Sequence, residues 1–87
     1  MMTGAYTPFK TEISPEEKDV FKKAMGQILG VNYEPLAVAS QVVSGVNYKF
    51  FSNATPVYPD AATKPVMVKI YRQTDGTVHL LEIKDIS

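Results

Sequence analysis

Residue types that do catalysis are thin in this chain. His79 is its only histidine and it has no cysteine, which excludes disulfides, thiolate metal sites and a catalytic thiol. His79 lies in a strand-like stretch and reads as a solvated or packed strand residue. Asp60 and Asp75 sit among turn residues, and Glu12, Glu16 and Glu17 gather around a helix start. The sequence has no His-x-x-x-His pair and no Gly-rich phosphate loop. The convergent acids, bases, nucleophiles or metal ligands of an active site are missing. The chain therefore reads as a non-enzyme, with no catalytic residue, metal or cofactor expected. Asn53-Ala54-Thr55 has the form of a glycosylation sequon, and the plainer reading is a loop asparagine.

The spacing that carries more is Gln41-Val42-Val43-Ser44-Gly45. It joins two strand-like segments, Leu36 to Val43 and Val46 to Ser52, with too few residues for a long loop. The chain must reverse sharply there, and Gly45 tolerates the positive φ that such reversals often need. Val42 and Val43 then project at the tip. An apolar hairpin tip facing water is locally unfavourable, which marks a surface built to dock into something.

This stretch matches Q-x-V-x-G, the first-hairpin motif of the cystatins, protein inhibitors of papain-like cysteine proteases. Ser44 stands where the commonest form has Ala, and Val46-Asn47-Tyr48 also looks like the cystatin continuation. The resemblance implies a three-part binding edge. An N-terminal arm with a glycine would be the first part, and Gly4 is placed for it. Gln41 to Gly45 would be the second. A second hairpin would be the third, here Arg72-Gln73-Thr74-Asp75-Gly76, with Arg72, Gln73 and Thr74 as rim hydrogen-bonding groups. Many secreted members carry Pro-Trp in that hairpin, whereas this chain has no tryptophan. In that respect it resembles the cysteine-free stefins. The implied action is reversible, non-covalent blockage of the protease cleft. The alternative is a non-inhibitory cystatin-fold binding or structural module; a cystatin-like chain can also exchange its helix and first strand with another copy, with Gln41 to Gly45 as hinge.

The elements that must hold such an edge are legible in the periodicity. Residues 1–12 read as an arm, since Gly4 and Pro8 disfavour a helix. Ser14-Pro15-Glu16-Glu17 is a capping box with Pro at the first helical position. From it Val20, Phe21, Ala24, Met25, Ile28 and Leu29 repeat at helical spacing, predicting a helix over 14–30 that stops at Gly30. Residues 36–84 read as antiparallel hairpins. Leu36, Val38, Ser40 and Val42 alternate with Ala37, Ala39, Gln41 and Val43, and the alanines offer the helix a close approach. Val46, Tyr48 and Phe50 alternate with Asn47, Lys49 and Phe51, and Val66, Val68 and Ile70 alternate with Met67, Lys69 and Tyr71. Residues 53–64 read as a loop. Asp75-Gly76 signals a hairpin, and the face of the last strand is ambiguous because Leu80 and Leu81 adjoin. The expected fold class is α+β: a single cystatin-like domain, one helix against a curved four- to five-stranded antiparallel sheet.

Composition sets the bounds. With 87 residues, 45% hydrophobic and a formal net charge of zero, the chain is long enough for one small core. Its scattered basic residues leave no electrostatic footprint for nucleic acid or an anionic membrane. The expected partner is a papain-like cysteine protease, and the expected state is a monomer, with a domain-swapped dimer as the alternative. Met1-Met2-Thr3-Gly4 does not open like a signal peptide. A cytoplasmic location follows if the chain is complete, and a secreted or periplasmic one if a leader has been removed.

Overall fold

The computed structural model describes residues 4–86. Helix α1 (Pro15–Met25) is followed by β1 (Val31–Val43), β2 (Gly45–Pro56), β3 (Lys64–Arg72) and β4 (Val78–Asp85). The four strands form one open antiparallel sheet in the order β1-β2-β3-β4. The protein is α+β.

The capping box forms at the start of α1. The Ser14 hydroxyl accepts from the Glu17 N–H at 3.1 Å, and the Glu17 carboxylate accepts from the Ser14 N–H at 2.9 Å. The helix is shorter than periodicity predicts, ending at Met25 instead of continuing to Gly30. Gly26 is a poor helix former, and there the Ile28 N–H bonds the Met25 carbonyl at 3.1 Å, closing a tight turn. Gly30, with φ +88°, then turns the chain into β1. As a result Leu29, expected on the apolar stripe, is 88% exposed.

β1 begins at Val31, not Leu36, and β2 runs through Pro56, which narrows the loop expected over 53–64 to the stretch before Lys64. The register passes over Leu36 between Pro35 and Ala37. This bulge keeps Val31 and Tyr33 on the same face as Val38, because one extra residue restores the phase of the alternation. A second irregularity resolves the Leu80–Leu81 ambiguity. Lys69 pairs with Glu82 but Ile70 with Leu80, so Leu81 is the bulged residue and is exposed.

The core lies between α1 and one sheet face. Val20, Phe21 and Met25 meet Val38, Tyr48, Phe50, Val66, Val68 and Ile70, all buried. Phe21 meets Phe50 edge-on, with ring centroids 4.9 Å apart. Of the alternating sets, Val66-Val68-Ile70 and Tyr48-Phe50 are the ones that point inward. The helix does not approach over the alanines: it packs on the Val38 face, and Ala39, although buried, lies on the opposite one. Of the four to five strands expected, four are formed among the described residues. The arm runs antiparallel beside β1 and makes one isolated bridge, Lys10 with Val38. Two Lys10–Val38 backbone bonds fasten it, at 3.0 and 2.9 Å, with a Thr7 N–H to Ser40 carbonyl bond at 2.8 Å.

Candidate functional site

Antiparallel pairing decides what shares an end of the sheet. Val42 pairs with Val46, Val46 with Arg72, and Arg72 with Val78. The turn at the end of β1, the start of β2 and the β3–β4 turn therefore lie at the same end. Gly4 joins them, its N–H donating to the Val42 carbonyl at 3.2 Å. The nine residues singled out as a binding edge (Gly4, Gln41 to Gly45, and Arg72 to Thr74) are thus brought to one rim.

The first turn is as tight as a hairpin can be. Val43 pairs with Gly45, leaving Ser44 alone at the tip. Gly45 adopts φ +105°, in the region that favours glycine. There is a second demand at this position. A Cβ on Gly45 would run into the Arg72 carbonyl and lie 2.9 Å from the Tyr71 ring and hydroxyl. The glycine is required by the approach of the turn to β3 within the molecule itself. Val42 is 68% exposed, and Val43 is half-buried. The outward apolar surface at the tip is therefore carried chiefly by Val42, a distinction that adjacent valines in a sequence do not reveal.

Gln41 is held at both ends of its side-chain amide. Its Nε2 donates to the Gly4 carbonyl at 2.9 Å, and its Oε1 accepts from Asn47 Nδ2 at 3.0 Å. This relay runs from the arm through β1 to β2 and fixes the arm against the first hairpin. The tip is tied to β3 by the Tyr71 hydroxyl, which donates to the Ser44 carbonyl. Asn47 and Tyr71 are thus structural parts of the rim that sequence reasoning did not assign. Tyr71 sits 27 positions from Ser44, and only the strand register reveals the pairing.

The second hairpin is closed by the Gln73 N–H to Thr77 carbonyl bond at 2.8 Å and the Gly76 N–H to Gln73 carbonyl bond at 2.9 Å. The Thr77 N–H donates to Asp75 Oδ1 at 2.9 Å and holds that carboxyl below its ordinary range. Arg72 lies on the helix side, its Nη1 2.6 Å from the Glu16 carboxylate. Its guanidinium thereby links the second hairpin to the first turn of α1. Gln73 and Thr74 are exposed. His79 is also exposed, pairs across from Tyr71 and stacks on it, ring centroids 6.2 Å apart.

The rim is a polar frame with an apolar projection. It offers hydrogen-bonding groups and contact area, and among the described residues no cluster of His, Cys, Asp or Glu is arranged to hold a metal. No described helix is long and apolar enough to cross a membrane. Comparison with protein-family models, curated proteins and solved structures found no match to this chain.

Proposed function

We propose that the protein is a stefin-like, reversible, non-covalent inhibitor of papain-like cysteine proteases. Its hairpin Gln41 to Gly45 would enter the active-site cleft, flanked by the arm at Gly4 and the turn Arg72 to Thr74. The observation that carries this reading is the gathering of the arm, the Q-x-V-x-G turn and the second hairpin on one rim, cross-linked through Gln41 and Tyr71. The α+β layout, with a helix packed on one face of four consecutive antiparallel strands, is compatible with a cystatin-like fold.

In this reading the inhibitor acts by filling space. Val42 supplies apolar contact, worth about 1.5–3 kcal/mol when fully buried. Pre-fixing the turn lowers the ordering cost of binding. No peptide bond is presented for attack, so the complex forms and dissociates without covalent change.

The test is titration of papain activity with the wild type and with Val42→Asp. Val42 is already exposed, so the substitution spares the fold. A carboxylate carried into the cleft should weaken inhibition by about 3 kcal/mol, roughly 100-fold. Equal inhibition by both proteins would dismiss the hairpin as the binding element. No inhibition by wild type across a panel of papain-like proteases would dismiss the reading.

A second reading has the same turn as the hinge of an exchange in which α1 and β1 pass to another copy. The single-residue tip favours it. Dimers that appear on heating and fail to inhibit would support it.

A further inference from the structure

We propose that the sheet face turned away from α1 carries a binding site for a small anionic amphiphile, a carboxylate or similar anion on a linear alkyl chain. A cleft of about 380 Å³ lies there, lined by Phe9, Met67 and Ile86 and by Lys49, Lys69 and Lys84.

The register places the lysines together. Lys49 of β2 stands directly opposite Lys69 of β3, and Met67 of β3 directly opposite Lys84 of β4. Like charges facing each other across a strand pair are destabilising, and this pair has little internal relief. The Lys49 ammonium sits 4.1 Å from the Tyr6 ring centroid, with no carboxylate partner among the described residues. Lys69 has Glu82 only at 3.9 Å. Lys84 makes no ion pair among the described residues. The carboxylate that lines the cleft, Asp85, is occupied by Lys64 at 3.1 Å. The chemistry left over is a positive rim in need of an anion beside an apolar floor in need of cover. Phe9 and Ile86 are 47% and 45% exposed, so that floor is open to a ligand.

One molecule answers both demands if its charged head and alkyl chain are joined. A short anion would meet the lysines in full competition with water. An uncharged chain would cover Met67 and Phe9 but leave the lysines unrelieved. Tyr6 and Phe9 belong to the arm, so an occupant would also touch the segment whose far end reaches the rim at Gly4. The site itself does not depend on the inhibitor reading.

The experiment is an amide NMR titration of the full chain with decanoate below its aggregation concentration, beside 1-decanol and acetate. Decanoate should shift the amides around Met67, Lys69 and Lys84 along a saturable curve. Decanol and acetate should bind at least tenfold more weakly. Lys84→Gln, and separately Lys69→Gln, should weaken decanoate binding at least threefold while the rest of the spectrum stays in place, and Lys18→Gln on α1 should not. Decanol binding as tightly as decanoate, or shifts indifferent to both cleft lysines, would overturn the proposal. Absence of a saturable shift with decanoate would overturn it too, even if anionic vesicles bind the protein.

Discussion

The Tyr71 hydroxyl on β3 donates its hydrogen bond to the carbonyl oxygen of Ser44, the lone residue at the tip of the first hairpin. A turn that carries an exposed valine is thereby braced by a side chain from the far side of β2. Tyr71→Phe deletes the donor and keeps the ring that stacks on His79. It should cost about 1 kcal/mol in urea unfolding and speed amide exchange at the tip. Unchanged stability and exchange would mean that the brace is not made in solution.

Gly45→Ala should be harsher. The new methyl faces both a positive φ and the closely placed Tyr71 side chain and Arg72 carbonyl. A loss of about 2–3 kcal/mol is expected, read as a lowered urea midpoint with unchanged slope. A near-neutral effect would show that the turn readily repacks away from β3.

Gln41→Ala removes one tie between the arm and the body and leaves the arm's backbone bonds to β1 in place. The variant loses both the bond to Gly4 and the one from Asn47. Its global stability should fall by only about 1 kcal/mol, since the groups freed can turn to water. Hydrogen exchange at Gly4 and Thr7 should accelerate several-fold while the amides of β2 and β3 keep their protection. Uniform acceleration across the sheet would assign Gln41 a global role instead.

Glu17 sets an acid dependence. Burial raises its pKa, but the Ser14 N–H, the Ser14 hydroxyl and Lys10 together outweigh that and lower it from the ordinary 4.5. A carboxyl with a depressed folded pKa contributes stability that is fully present above its unfolded value and is lost as pH falls through the folded one. Thermal midpoints should therefore drop below about pH 4.5, and Glu17→Gln should flatten that drop. A variant with the wild-type acid profile would place the dependence on other carboxylates.

The strand alternation in β2 and β3 and the helix start could be read ahead of the structure because they rest on local rules. Ser14 to Glu17 is a contiguous cap, and Val66-Val68-Ile70 alternates without interruption. The errors occurred where one residue changed the phase. Leu36 hid the true start of β1, and Leu81 blurred the face of β4, since a bulge has no periodicity of its own. Gly26 stopped a helix whose apolar pattern ran on to Leu29. At the rim, Gly45 and Gln41 were visible as a spacing. Asn47, Tyr71 and Glu16 were not, because their roles depend on neighbours that only strand register or helix docking supplies.

The arm's position beside β1 bears on solubility. An unpaired sheet edge offers its N–H and C=O groups to any strand from another chain. On the β1 side those groups meet the arm at Val38, Ser40 and Val42, whereas β4 is the other outermost strand of the sheet. Trimming the first ten residues would strip this selvedge from β1, and the cut protein would carry two raw margins where the whole one carries a hemmed and an open one. A nick in the arm would thus leave the β1 margin open to a strand from another chain.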